Sequence, residues 1–580
     1  MRGSRPHEVA SRRETTGNPI TRNGQAIFVS KLVLVDGYVD EPSAFGVPPY
    51  ISPHARYAAG AALSQGAEVE YHTIDSLREN RRELTGDALL ILASCVVPGK
   101  YLRGTPITHD ETVSLFRDFK GDRILTGANA AFGFADDGGG HATTRANPLK
   151  DHVDHFITRD GDAAVADLFA GKTVVNRFRT AQEWTRHAHA GAPIVAQHPD
   201  MKAGILMAEL DTFLGCVHYV SGGCGFCKDA KTKPWYRDEE DIIEEVRLLH
   251  ELGVRHFRLG GQSCFWTYKA IGVGLTDEPK PNVAATEKLL VGVAEAAPKR
   301  EVLHIDNANP AVLAVHPDES RAIARLLVQH GTDGNIAAFG LESVDPAVYK
   351  ANNLNATPEQ TMDAIRILNE ESGMRGPRGL PYCLPGVNLL YGLPGETAAT
   401  YEMNWKWLMD LKKSGLRIRR LNIRQLLPIR GQKETVAPEL RKTFIVHKQN
   451  VREHFDRAIL QQVVPVGTVM KSVYLEKVEP SLTYGRQIAT YALLVGIPYE
   501  TEINRFVDIL VTDHGYRSIT GIPVPFHVPT ASMKQLECLP GIGKKRAVNL
   551  KVKRPKSLAE FSAIVQDDAI MAVLAPHLTF

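Results

Sequence analysis

The stretch Glu209-Leu-Asp-Thr-Phe-Leu-Gly-Cys216-Val-His-Tyr-Val-Ser-Gly-Gly-Cys224-Gly-Phe-Cys227-Lys-Asp229 sets three cysteines within twelve residues, spaced C-x7-C-x2-C, directly after a strand-like run at Ile205–Glu209. The chain has seven cysteines, the others being Cys95, Cys264, Cys383 and Cys538. An odd, sparse set in a long chain without a secretory signal argues against a disulfide framework. Three readings of the cluster stay open on the residues alone. The thiols are unrelated buried groups; or they hold a zinc ion, which normally takes four ligands and could recruit His218 as the fourth; or they hold an iron–sulfur cluster, which thiolates ligate. In the last case three cysteines leave one iron for an exogenous ligand. Gly215, Gly222, Gly223 and Gly225 let the backbone wrap closely around such a group.

Outward from this loop, residues 203–430 alternate strand and helix. Glu239–Leu252 reads as an amphipathic helix with Ile242, Ile243, Val246, Leu249 and Leu252 on one stripe, ended by Gly253. Further strands are expected at Arg255–Leu259, Val302–Asp306, Asn335–Leu341, Val387–Tyr391 and Arg417–Ile423, with helices Pro358–Glu370 and Ala399–Lys413 between the later ones. Six βα units at this spacing predict an open, partial (β/α)6 barrel like part of a TIM barrel, with chemistry on the loops after each strand. Upstream, 26–200 also alternates, with strands at Lys31–Val35, Val69–Thr73, Ala88–Ala93, Arg123–Thr126 and His155–Thr158. That pattern predicts a doubly wound α/β domain, flavodoxin-like, whose ligand crevice takes in Asp36, Gly37, Gly127 and Asn129. Downstream come a helical linker (431–461), short strands with glycine turns forming a small β-barrel of OB type (462–527), and a helical region (528–580) with a hairpin at LPGIGKKRA.

Length and composition bound these readings. At 580 residues the chain is expected to hold roughly three to five domains. Apolar residues at 43% and charged residues at 23% exclude wholesale disorder, and a net charge of +2 leaves only local patches to select a polyanion. No apolar run is long enough to span a membrane, so no membrane partner is expected. The polar stretch over 1–25 reads as a flexible tail rather than a secretory signal, which makes a cytoplasmic location the expectation.

The cysteine loop resembles that of the radical S-adenosylmethionine (SAM) superfamily. The usual family spacing is C-x3-C-x2-C with an aromatic before the last cysteine; Phe226 stands there in this chain, but the first gap is seven. C-x7-C-x2-C with SGGC-x-FC is similar to a subgroup that carries an N-terminal flavodoxin- or cobalamin-binding-like domain and a C-terminal helix-hairpin-helix motif, and the likeness runs over most of 30–580. Gly260-Gly261-Gln262 stands where the family has Gly-Gly-Glu, Gly340-Leu341-Glu342-Ser343 follows the fourth strand, Gly392-Leu393-Pro394-Gly395-Glu396-Thr397 the fifth, and Asn422, Arg424 and Gln425 lie on the sixth.

The resemblance implies the following chemistry. Cys216, Cys224 and Cys227 ligate a [4Fe-4S] cluster, and SAM chelates the open iron. One electron then cleaves the sulfonium to methionine and a 5′-deoxyadenosyl radical, which abstracts a substrate hydrogen. Phe226, Gly260, Gly261, Gln262, Glu342, Ser343, Glu396 and Arg424 are the implied cofactor contacts, Gln262 lacking the charge of the family's glutamate. Cys264 and Asn307 are candidate catalytic residues on the same rim; a small buried core thiol and ordinary turn duty are the competing readings. Cobalamin stays open but unsupported, because the D-x-H-x-x-G signature is absent. The first domain also resembles that of methylthiotransferases, which place three cysteines there, whereas this chain has only Cys95.

Leu539-Pro-Gly541-Ile-Gly543-Lys544-Lys545-Arg546-Ala547 matches the helix-hairpin-helix pattern. Its glycines free backbone N–H groups for a phosphate, with Lys544, Lys545 and Arg546 adding charge. A second basic run extends from Lys412 to Lys433. These features favour an enzyme that modifies RNA, tRNA foremost; the resemblance implies in addition an electron donor of flavodoxin or ferredoxin type. The alternatives are a radical SAM enzyme acting on a peptide or small metabolite, and a non-catalytic nucleic-acid-binding iron–sulfur protein.

Overall fold

The computed structural model describes residues 20–22, 25–27, 30–39, 49–96, 99, 101–134, 148–426 and 436–580. Most of the expected tail and the end of the basic run at Lys433 lie outside them. At the end of the expected tail, Ile20–Arg22 pairs with Gln25–Ile27 as a short antiparallel ladder that crosses the expected boundary at residue 25.

The first domain is a five-stranded parallel sheet. Its strands in chain order are β1 (Lys31–Val39), β3 (Glu68–Thr73), β4 (Ala88–Ser94), β5 (Asp122–Thr126) and β6 (His155–Ile157), and in space they run β3-β1-β4-β5-β6. This is the doubly wound order whose switch point falls between β1 and β4. Between β1 and β3 the chain forms β2 (Tyr50–Ile51), which does not join this sheet. It pairs in parallel with the first barrel strand, Tyr50 beside Met207 and Ile51 beside Ala208. The expected boundary near residue 200 is therefore crossed: part of the first domain's chain lies in the barrel.

The barrel continues with β7 (Met207–Asp211), β8 (His256–Gly260), β9 (Val302–Ile305), β10 (Asn307–Ala308), β11 (Asn335–Glu342), β12 (Cys383–Tyr391) and β13 (Arg420–Gln425). β9 and β10 are one strand bent at Asp306, pairing with β8 on one side and β11 on the other. All neighbours are parallel, so β2 adds a seventh strand to the expected six. Among the described residues β13 is the far edge and no strand pairs beyond it.

The helix Pro53–Leu63 locks the two sheets together. It begins at Ser52, whose hydroxyl accepts from Ala55 N, with Pro53 at its first position. Its Arg56 is fully buried and donates to the Glu245 carboxylate and the Glu209 carbonyl, while Tyr50 Oη donates to the Glu209 side chain. A guanidinium buried in this way is tolerable because Glu245 meets its charge and both terminal nitrogens are bonded, although its Nε has no partner.

The C-terminal strands β14 (Val469–Glu479), β15 (Leu482–Gln487), β16 (Leu494–Ile497), β17 (Arg505–His514) and β18 (Ser518–Val524) close into a barrel in the order β14-β15-β16-β18-β17. β16 and β18 are parallel and every other neighbouring pair is antiparallel. The loop between β15 and β16 plugs the half barrel: Thr490 N donates to His304 Nδ1 at 3.1 Å, and Tyr491 packs on Ile336 and Ala338. Helices Met533–Glu537 and Lys544–Lys553 follow, joined by a tight loop, then Leu558–Val565 and Asp568–Leu574. No helix among the described residues is long and apolar enough to cross a membrane.

Candidate active site

The cysteine loop leaves β7 at the C-terminal rim of the barrel. Its base is tied by Phe213–Leu214 pairing with Trp235–Tyr236. Gly215 turns with φ of 89°, and Cys216 N donates to Thr232 O at 3.0 Å. A short 3-10 turn, Val217–Ser221, carries the chain to Gly222 and Gly223, both left-handed at φ of 96° and 68°. A Cβ on Gly223 would lie 2.0 Å from Ala230 O, so only glycine lets the loop fold so tightly.

The segment after β11 clamps this loop. Gly225 N donates to Asn352 O at 2.7 Å, and Asn353 Nδ2 donates to the carbonyls of Ser221 and Gly223, each at 3.2 Å. Asn352 Nδ2 in turn donates to Pro394 O at 2.9 Å, which couples the clamp to the loop after β12. Phe226 packs with Val348, Leu390 and Leu393. Sequence reasoning missed Asn352 and Asn353; the signal available was an Asn pair at a helix end, one of the residue types that tolerates φ of 46° at Asn353.

The three thiols are half-buried, and Cys216 and Cys227 lie close enough to Cys224 to act on its ionisation. Burial first, then the charges of Cys227, Glu342 and Cys216, pushes the Cys224 thiol up to about 12. Such a group ionises when a metal replaces its proton. His218 is not a spare ligand: its Nε2 bonds Asn353 O at 2.7 Å, and its Nδ1 lies 3.1 Å from the Asp277 carboxylate. The donor set thus fits a multi-iron group with three thiolate corners and an open fourth better than a four-ligand zinc.

The remaining expected residues fall into two groups. Glu342 lies close enough to Cys224 to raise its thiol, and Arg424 lies close enough to Glu342 to act on its carboxyl. Glu342 ends β11 at a register shift after Gly340 and sits at φ of 64°, a left-handed backbone that a non-glycine residue adopts at a cost of order 1–3 kcal/mol. Burial pushes its carboxyl up to about 7, against the pull of the Arg424 guanidinium. Arg420, Asn422 and Arg424 share one face of β13 by strand alternation, and Asn422 Nδ2 donates to Asn388 Oδ1 at 3.2 Å.

The second group is engaged by the protein itself. Gln262 accepts from Thr212 Oγ1 at 3.1 Å and donates to Leu259 O at 2.9 Å, while the Gly260 carbonyl accepts from Thr212 N at 3.2 Å. Gly261 makes the turn at φ of 72°. Asn307 Nδ2 donates to Gln262 O at 3.1 Å and so braces the loop after β8. Cys264 is buried, accepts from Asn309 N at 3.1 Å, and is pushed up to about 12 by burial. Ser343 Oγ accepts from Asp345 N at 3.2 Å. The Glu396 carboxylate accepts from Gly392 N and Tyr401 Oη, holding its own loop closed.

At the C-terminal hairpin Gly541 is left-handed at φ of 70°, Gly543 caps Lys544–Lys553, and Lys544 and Lys545 are exposed. Arg546, expected beside them on a phosphate, donates to Gly541 O at 3.0 Å and lies 3.3 Å from the Asp567 carboxylate.

Residues 212–408 match the model of the radical SAM superfamily. An uncharacterized protein of Methanocaldococcus jannaschii is 42% identical over 511 residues, covering 85% of this chain and 93% of the relative. An uncharacterized protein of Archaeoglobus fulgidus is 36% identical over 557 residues, covering 93% and 98%. Among solved structures, the radical SAM methyltransferase TsrM of Kitasatospora setae aligns with a TM-score of 0.44 at 16% identity, over 69% of this chain and 73% of its own. The cysteine loop on the barrel rim and the matched segment agree, and the chain belongs to the radical SAM superfamily, as an enzyme whose cofactors are a [4Fe-4S] cluster and SAM.

Proposed function

We propose that this radical SAM enzyme modifies an RNA, with tRNA the foremost candidate. The observation that carries the reading is the C-terminal barrel: five strands in the order first-second-third-fifth-fourth with a parallel third–fifth pair, the connectivity of an OB barrel, a fold that binds oligonucleotides. The hairpin beyond it supports the reading with exposed Lys544 and Lys545 at a helix start whose cap, Gly543, offers no side chain to the first N–H groups.

In this reading Cys216, Cys224 and Cys227 hold the cluster, which when bound supplies one-electron cleavage of the SAM sulfonium. The chain's part is positional. The Asn352–Asn353 clamp fixes the loop, Glu342 and Arg424 offer an acceptor and a donor fork to SAM, and Gln262, Asn307 and Glu396 hold the rim loops in place. A flavodoxin- or ferredoxin-type donor supplies the electron, and the work is cytoplasmic.

The test is tRNA binding by the anaerobically prepared protein across a salt series. Lys544→Ala with Lys545→Ala should weaken binding and lower the salt slope by about two. Unchanged binding and slope would remove the hairpin from the interface. Nucleoside mass spectrometry of RNA from a deletion strain tests the reaction itself; an unaltered nucleoside profile would turn the reading to a peptide or small-molecule substrate.

A further inference from the structure

A cavity of about 400 Å³ lies beside the start of β13, the open edge of the half barrel. Its wall includes Arg419, Arg420, Asp456, Tyr491, Tyr516 and Arg517, brought together from the barrel edge, the helical segment after it and the C-terminal barrel. Three guanidiniums thus meet one carboxylate.

The arginines are poorly matched by the protein. Arg419 is 9% exposed, and its Nε is buried without a partner. Arg420 Nε is likewise buried and unpartnered. The Arg420 guanidinium donates to Asn422 Oδ1 at 3.3 Å and stacks over the Tyr491 ring at 4.6 Å. Arg517 donates to Leu421 O at 2.8 Å, but its Nε stands 3.9 Å from the Asp456 carboxylate, at the limit of an ion pair. Burial, with the Arg517 charge second, pulls Arg419 down to about 10 and Arg420 down to about 9. Burial also pushes the Asp456 carboxyl up to about 6, which weakens the one internal counter-charge. Unpaired buried cations are costly to keep, and a bound anion would relieve that cost. Tyr516 and Arg517 are exposed, so the cavity opens to solvent between them.

Guanidinium forks match phosphate oxygens two at a time, and tyrosine rings stack on bases. We propose that this cavity is a nucleotide-phosphate site, with Arg419, Arg420 and Arg517 on the phosphate oxygens and a tyrosine ring against the base. A free nucleotide and a nucleotide within RNA share this chemistry; the second source rests on the RNA reading above. Arg420 and Arg424 are four residues apart on one face of β13, so the site lies roughly 13 Å of strand from the cysteine rim. A nucleotide held here would anchor a substrate whose neighbouring residue reaches the rim.

Isothermal titration of the anaerobically reconstituted holoenzyme tests this with inorganic phosphate, uridine 5′-monophosphate, uridine and an unmodified tRNA transcript. Phosphate and the monophosphate should bind, uridine at least about tenfold more weakly than the monophosphate. Arg419→Gln with Arg420→Gln should lose at least about tenfold in monophosphate affinity, and Arg420→Lys should lose less. Arg517→Gln, at the exposed mouth, should move affinity the same way without disturbing the fold. No saturation by phosphate or monophosphate at millimolar concentration would overturn the proposal, as would equal affinity in wild type and all the glutamine variants. If the transcript binds and weakens with the same variants, the site takes RNA. If the transcript fails to bind while the monophosphate binds and the variants lose it, the site stands as a free-nucleotide site and the RNA reading falls.

Discussion

The first domain and the barrel both present the C-terminal rim of a parallel sheet, where open α/β sheets carry their ligands. The first domain fills its rim with its own chain. Asp36 accepts from Tyr38 N and Tyr71 Oη, both at 2.9 Å. Ile107 covers Gly37, donating from its backbone to Gly37 O at 3.1 Å. Asn129 Nδ2 donates to the carbonyls of Cys95 and Gly133 at 3.2 and 3.1 Å, though its Oδ1 is left without a partner. The barrel rim gathers three half-buried thiols, one of them beside Glu342 with its left-handed backbone, while His218 of the same loop is bonded to Asn353 and paired with Asp277. Topology gives both sheets an address for a ligand, but side-chain satisfaction decides whether the address is open.

The largest test of this contrast compares cysteines on the two rims. Cys224→Ala should lower 5′-deoxyadenosine formation to background, at least about a thousandfold, and deplete iron and sulfide in the reconstituted protein. Cys95→Ala, on the closed rim, should keep wild-type iron content and SAM cleavage. Equal iron loss in both variants would mean that the rims are not distinct. A smaller effect is expected at Glu342→Gln. If its carboxylate meets SAM, the KM for SAM should rise about tenfold with iron content unchanged. An unchanged KM would leave the left-handed backbone at 342 without a ligand to explain it.

The sequence makes the open rim legible and hides much of what supports it. The cysteine spacing and the turns Gly260-Gly261 and Gly392-Gly395 are local signals, and the barrel strands begin and end within a few residues of where hydrophobic pattern places them. The two-residue strand at Tyr50–Ile51 is too short to carry a period, and its partner is over 150 residues away. The partners of buried Arg56, Glu245 and the Glu209 carbonyl, lie 189 and 153 residues away, so nothing local discloses them. Gln262 and Glu396 sit where ligand contacts are expected, yet their side chains turn back on Thr212 and Tyr401. A polar residue on a rim loop can face a cofactor or hold its own loop, and sequence does not separate the two.

The closed rim has its own mechanical test. A Cβ at Gly37 would fall 2.2 Å from Ile107 Cγ2 and 2.8 Å from Leu92 O. Gly37→Ala should therefore destabilise the first domain by about 1–3 kcal/mol, read as a lower urea midpoint by hydrogen exchange of that domain. Ile107→Ala alone should also destabilise, by about 2–4 kcal/mol. If Ile107 is what fills the crevice, the double variant should be less destabilised than the two losses together by about 1 kcal/mol. Strict additivity would place the strain on the Leu92 carbonyl, and the crevice would not be closed by Ile107.

The smallest expected effect is at Asp36, where the two rims differ in why a carboxyl is perturbed. Glu342 is raised by burial beside an arginine, whereas Asp36 is raised to about 6 by burial with neutral partners, its bonds to Tyr71 and Tyr38 pulling back. The native state therefore holds the Asp36 proton to higher pH than the unfolded chain, whose ordinary value is 3.8. Stability from this group is fully present below about pH 4, falls as pH rises toward 6, and carries its full penalty above that. The shift sets an upper bound on the order of 3 kcal/mol. Asp36→Asn mimics the protonated form, so the variant should be more stable than wild type by about 1–2 kcal/mol at pH 8 and no more stable at pH 4, measured by urea denaturation of the first domain's amides. A gain that does not vary with pH would show that the carboxylate is compensated in the folded chain, and the first rim would then hold a charge as the barrel rim does.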